Sequence, residues 1–171
     1  PFLVDNERGK AIVIRLAGRT HELPKSEANG HFETTIRLSE AAIKEHADRE
    51  GWVSWSVVLP AGDARQFVGR AQCVGDVGVS VISDIDDTVK ISNVRDRRAL
   101  MANTFLNAFE AVPGMSKAYA AWAEGGAMFH YVSSSPWQLY PALSQFFAES
   151  GLPAGSFHLR EIGLGDRSFL D

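Results

Sequence analysis

Apolar positions in the first 75 residues recur at short, strand-like intervals. Ala11-Ile12-Val13-Ile14-Arg15-Leu16 is a brief β-branched run. Asn29-Gly30 is a hairpin-type dipeptide, since both residues tolerate positive φ. After it, Phe32, Thr34, Ile36 and Leu38 alternate with polar neighbours, the period of a half-buried strand. Trp52 to Leu59 predicts another strand, with Trp52 and Trp55 on its two faces, and Gln66 to Val74 a fourth. Ala41 to Ala47 predicts a short helix between strands. Several short strands separated by turn residues predict a small β-sandwich-like domain over residues 1–75.

From residue 76 the pattern alternates between strand and helix. Val77 to Ser83 is a short apolar run of the kind a buried parallel strand needs. Arg98 to Val112 places Met101, Phe105, Ala108, Phe109 and Val112 on one helical face, and Pro113-Gly114 breaks it. Met115 to Ala123 repeats the helical spacing through Met115, Tyr119 and Trp122, and Gly125-Gly126 stops it. Met128 to Val132 predicts a second buried strand, Pro136 to Ser150 a third helix, and Ser156 to Leu159 a third strand. This βαβαβ order predicts an α/β domain over residues 76–171, with a parallel sheet and right-handed crossovers. Ligands of such sheets sit at the carboxyl ends of the strands.

Composition narrows the classes without choosing among them. Apolar residues make up 45% and charged residues 22% of the chain, which excludes disordered and low-complexity proteins. The net charge is -4, and no run or stripe of basic residues appears, so nucleic acid is not an expected partner. The acidic excess lies wholly beyond residue 75, because the first 75 residues hold ten basic and ten acidic side chains. No stretch of about 18 apolar residues exists, so any membrane contact is expected to be peripheral. Cys73, the single cysteine, fits a reducing compartment such as the cytoplasm.

The charge excess leads to the chemistry. Val79-Ser80-Val81-Ile82-Ser83 runs directly into Asp84-Ile85-Asp86-Asp87-Thr88. Three carboxylates in four positions at the end of a buried strand repel one another and lose hydration. A divalent cation such as Mg²⁺, which takes oxygen ligands and keeps several waters, would offset that cost. With a metal present, Asp84 is placed to act as a nucleophile and Asp86 as general acid and base. The plainer alternative is an acidic turn closing the strand. A second constellation favours chemistry. His130-Tyr131-Val132 leads into Ser133-Ser134-Ser135-Pro136-Trp137-Gln138, in which Ser135 to Gln138 has the form of a capping box. Ser135 is then the N-cap and Pro136 the first helical residue, leaving free N–H groups as a phosphate seat. Ser133, as the last strand residue, is expected to face Asp84 if the two strands are neighbours.

Asp84-x-Asp86-x-Thr88 after an apolar strand, followed by a strand ending in Ser133, resembles the first two motifs of the haloacid dehalogenase superfamily. The longer strings Val81 to Thr88 and Tyr131 to Tyr140 resemble the narrower phosphatidate phosphatase family of the actin-patch-protein type, bacterial members included. Gly151 to Arg160 is similar to that family's third-strand region. The resemblance implies a haloacid-dehalogenase-like parallel sheet and Mg²⁺-dependent phosphatase activity through an aspartyl-phosphate. Asp84 would be nucleophile and metal ligand. Asp86 would be the acid/base, its backbone carbonyl also binding the metal. Thr88 would brace the loop, Ser133 and the N–H of Ser134 would bind the phosphoryl group, and Val89 to Val94 would form a flap. Asp87 has no assigned role beyond forming the turn.

The resemblance also implies a motif III lysine and a further acidic motif. Lys90 and Lys117 stand before the second motif and so out of order. Gly165 to Asp171 has the letters of the acidic motif, but no buried strand precedes it. The expectation is a chain cut before both motifs, weak or inactive in isolation. Pro1 in place of an initiating Met agrees with a piece of a longer protein. Elsewhere, His130 and His158 read as strand histidines, while His21, His31 and His46 have no ligand spacing. Trp137 would rim the site or pack on the sheet. Cys73 has no flanking base. Arg95, Arg97 and Arg98 form a basic cluster that is either plain surface or a contact for an anionic headgroup. Phosphatidate is the substrate by resemblance alone. A phosphatase for a soluble phosphomonoester and a non-catalytic adaptor module are the rival readings.

Overall fold

A computed structural model describes residues 7–93 and 109–161 of the chain. They divide into two compact units, one built on residues up to Val74 and joined by Glu161, the other spanning Gly75–Arg160.

The first unit is one antiparallel sheet and one helix. Its strands are β1 (Val13–Leu16), β2 (Arg19–Glu22), β3 (Trp52–Val57) and β4 (Val68–Gln72), in the order β2-β1-β3-β4. Helix α1 (Glu40–His46) starts at Ser39, whose hydroxyl accepts from the Ala42 N–H, and carries Glu40 in its first turn and Lys44 and His46 in its last. Ile14, Leu16 and Val53 are the buried centre.

The expected sandwich is therefore corrected to a single sheet among the described residues. The expected strand over Phe32 to Leu38 is also absent, although Ile36 and Leu38 still pack against the core. Asn29-Gly30 does turn the chain, with the Glu27 N–H donating to the His31 carbonyl at 2.8 Å, but no strand follows it. The hairpin that exists is β1–β2. Ala17 (φ 47°) and Gly18 (φ 71°) make its two-residue turn, and positive φ at both matches the twist of the flanking strands.

The second unit carries the parallel sheet. Strands β5 (Ser80–Asp84), β6 (Met128–Pro136) and β7 (Gly155–Arg160) lie in chain order, every neighbour parallel. Helix α2 (Met115–Glu124) joins β5 to β6, and α3 (Tyr140–Glu149) joins β6 to β7 after a 3₁₀ turn at Trp137–Leu139. Tyr119 of α2 lies on Phe129, their rings 5.1 Å apart, and Phe147 of α3 lies edge-on to Tyr131 at 4.5 Å. Phe129 and Tyr131 share a face, so both helices cover the same side of the sheet, as two successive right-handed crossovers require. Gly155 is needed where β7 meets β6, because a Cβ there would lie 2.4 Å from the Phe129 carbonyl oxygen.

The helix expected over 98–112 lies outside the described residues except for its end. There, Phe109 to Val112 is not helical. The Ile91 N–H donates to the Glu110 carbonyl and the Val112 N–H to the Val89 carbonyl. Val94 of the expected flap, the arginines at 95, 97 and 98, and Gly165 to Asp171 also lie outside the described residues.

Candidate active site

The site begins where β5 ends. Ile85 and Val89 are fully buried, and they anchor a tight loop that carries Asp86, Asp87 and Thr88 between them. The Val89 and Lys90 N–H groups both donate to the Ile85 carbonyl at 3.0 Å, and the Asp87 N–H donates to the Lys90 carbonyl at 2.7 Å. Asp87 takes positive φ (58°), and its Oδ1 accepts from the N–H groups of Ser92 (2.8 Å) and Asn93 (2.7 Å). Asp87 thus closes the loop, as its expected turn role requires.

Asp84 is exposed at the carboxyl end of β5. Thr88 leans on it, Oγ1 to Oδ2 at 3.4 Å. Asp86 is the hub. Its Oδ1 accepts from Ser92 Oγ at 2.6 Å and pairs with Lys90 Nζ at 3.0 Å. Its Oδ2 accepts from Ser133 Oγ at 2.8 Å and, more weakly, from Ser135 Oγ at 3.5 Å. Burial pushes the Asp86 carboxyl up, but the Ser92 hydrogen bond, the Lys90 charge and the Ser133 hydrogen bond together outweigh it. The net direction is down, so the group is held as a carboxylate.

The neighbouring strand supplies the serines. In the register Asp84 sits beside Val132, so Ser133 stands one residue further along. Ser133 is buried and meets Asp86 rather than Asp84. Ser134 is exposed beside it. The expected capping box is corrected. β6 runs on through Ser135 to Pro136, which pairs with Arg160 of β7. A residue before proline is biased to extended backbone, and Ser135 obeys that rule. Its N–H donates to Ser133 Oγ at 2.9 Å, so it is not a free phosphate donor. The proline in the first turn of α3 is Pro141.

Lys90, out of order for the motif III lysine, pairs with Asp86 in a way that motif order does not show. Its side chain is 1% exposed, its ammonium hydrogen-bonds Ser92 Oγ, and it lies 4.9 Å from the Phe109 ring centroid. The signal was its place six residues after Asp84 in an apolar stretch, Val89-Lys90-Ile91, where an unpaired lysine is not tolerated. Among the described residues no three His, Cys, Asp or Glu side chains cluster to hold a metal. Asp84 offers an exposed carboxylate. A carboxylate oxygen is the ligand type that a hard cation takes.

Elsewhere on the sheet, His130 Nδ1 lies 2.8 Å from Ser156 Oγ, which lies 3.0 Å from His158 Nε2. Trp137 packs against the core cluster of the unit. No helix of the described residues is long and apolar enough to cross a membrane.

Comparison with known proteins converges on one family. The family model for the catalytic domain of phosphatidate phosphatase APP1 matches residues 79–171. Phosphatidate phosphatase APP1 of Saccharomyces cerevisiae is 33% identical over 151 residues, covering 81% of this chain and 26% of that protein. An uncharacterised protein of Schizosaccharomyces pombe is 40% identical over 89 residues, covering 50% of this chain and 15% of that protein. The chain thus spans about a quarter or less of the curated relatives it matches.

Proposed function

The chain belongs to the phosphatidate phosphatase APP1 catalytic-domain family, and we propose from its site that it carries residues of a phosphomonoester hydrolase centre of haloacid-dehalogenase type. The observation that carries this reading is the division of labour between two carboxylates on one loop. Among the described residues Asp84 is exposed and braced by Thr88, while Asp86 is enclosed by donors. An exposed carboxylate at a strand end is placed for in-line attack on phosphorus. An enclosed one beside it is placed to move protons.

In the proposed reaction an Asp84 oxygen bonds to phosphorus and the ester P–O bond breaks. The leaving oxygen takes a proton from Asp86. Water then attacks the aspartyl-phosphate, Asp86 takes its proton back, and inorganic phosphate leaves. The donors around Asp86 favour its base form, which suits the second half of this cycle. For the first half Asp86 must be protonated, and that proton is drawn from solvent before the ester bond breaks. Magnesium belongs to the proposal through the Asp84 carboxylate and the Asp86 backbone carbonyl, and it would supply charge neutralisation at the phosphoryl oxygens. Ser133 and Ser134, at the end of β6, are the proposed contacts to the phosphoryl group.

The substrate proposed is phosphatidate, giving diacylglycerol and phosphate, with membrane contact at the surface only. Phosphate release is measured in the full protein, from phosphatidate in mixed micelles and from a soluble aryl phosphate, with Mg²⁺ and with chelator. Release from phosphatidate that needs Mg²⁺ and falls to background in Asp84→Asn is the expected result. Release from the aryl phosphate alone favours a soluble substrate. Undiminished release in a folded Asp84→Asn protein removes Asp84 as nucleophile.

A further inference from the structure

A lysine whose side chain is 1% exposed is costly to bury, and Lys90 meets that cost with the Asp86 carboxylate at 3.0 Å. Replacing both members of a buried ion pair by apolar residues is often neutral or stabilising, whereas removing one member leaves the other charge uncompensated. What Lys90 does is divide the Asp86 carboxylate. Lys90 and Ser92 hold Oδ1, which leaves Oδ2 turned to Ser133 and Ser135 across the strand pair. Phe109, at 4.9 Å, and the 89–91 segment, bonded to 110–112, fix the lysine from behind.

We propose that Lys90 is a positioning residue of the hydrolase centre, an in-loop cation that sets the orientation of Asp86 without touching substrate. The inference rests on the hydrolase reading above and goes beyond it. A phosphate group at the exposed Asp84 carboxylate has no access to so deeply buried an ammonium. Lys90 therefore does not serve as a phosphate-binding lysine. Its loss acts on proton transfer through Asp86 and leaves ground-state binding alone.

The test is made in the full protein with Lys90→Met and Lys90→Arg, followed by steady-state kinetics, thermal melting and a crystal structure of Lys90→Met. The expected result is a kcat reduced about 100-fold or more in Lys90→Met, the usual worth of a placed acid/base, with KM unchanged. Lys90→Arg regains part of the lost kcat, because it restores the cation. A folded Lys90→Met protein with wild-type kcat overturns the proposal, as does a loss expressed wholly in KM. Should Lys90→Met not fold, Ser92→Ala removes the hydroxyl that Lys90 and Asp86 share, and it must lower kcat at constant KM; an unchanged kcat there overturns the proposal.

If the wild-type protein releases no phosphate from either substrate, the hydrolase reading is what fails. Lys90 is then judged by geometry. Loss of the Asp86–Ser133 hydrogen bond in the Lys90→Met or Ser92→Ala crystal structure supports the positioning role, and its persistence at 2.8 Å removes it.

Discussion

At the scale of single residues, the donors that converge on Asp86 set when it is charged. Its folded pKa lies below the ordinary carboxylate value because Ser92, Lys90 and Ser133 outweigh burial. A depressed pKa contributes stability that is fully present above the unfolded value and is lost as pH falls through the folded one. Urea unfolding of wild-type protein and Asp86→Asn, followed by circular dichroism, reads this directly. The stability difference between them is expected to be flat above about pH 5 and to shift against wild type as pH falls toward about 3. A difference that is constant across that range contradicts the ion-pair and hydrogen-bond assignment. The loop that brings Asp84, Asp86 and Thr88 together is legible in the sequence because the motif is contiguous and its spacing is short. The pairing of Lys90 with Asp86 is not legible from motif order, because it depends on the loop folding back within four residues. Ser135 was misjudged for a related reason. A capping-box pattern reads the same whether the chain there is helical or extended, and pairing of Pro136 with Arg160 decides the matter.

Among the elements, the parallel βαβαβ unit was read well and the antiparallel unit less so. Each parallel strand carries a short apolar stretch, Val81-Ile82 in β5, Met128 to Val132 around His130 in β6, and Phe157 and Leu159 in β7, although Ile82 is 77% exposed. Antiparallel strands depend on turn chemistry, and there Asn29-Gly30 outscored Ala17-Gly18 by composition. The tighter turn nonetheless formed where β1 had β3 to pair with on its other edge. Register in the parallel unit hangs on Gly155. Gly155→Ala would set a Cβ 2.4 Å from the Phe129 carbonyl oxygen, a backbone atom that cannot rotate away. The expected cost is about 1–3 kcal/mol, as for other overpacked sites, seen as a lower urea midpoint. β6 carries Ser133, so phosphate release is expected to fall with it. An unchanged midpoint would mean that β7 can move off β6 freely.

Across the whole molecule, each unit has its own cluster of buried apolar residues. One centres on Ile14, Leu16 and Val53, the other on residues such as Phe129, Tyr131 and Leu143. Ile14→Ala and Leu143→Ala are each expected to cost about 2–5 kcal/mol. Tryptophan fluorescence separates them, since Trp52 and Trp55 lie in the first unit and Trp122 and Trp137 in the second. Single-tryptophan variants are expected to report Ile14→Ala only through the first pair and Leu143→Ala only through the second. Equal shifts at every tryptophan would show one cooperative unit instead. The parallel sheet is laid down in chain order, and this bears on how the site comes into being during synthesis. Lys90 is four residues from Asp86 and Ser92 six, whereas Ser133 is 47 residues away. At about 5–20 residues per second, the ribosome needs about 2–10 s to go from the first aspartate's loop to that serine. The cation that pairs with Asp86 is thus encoded within its own loop, well before the serine that completes the carboxylate's donors.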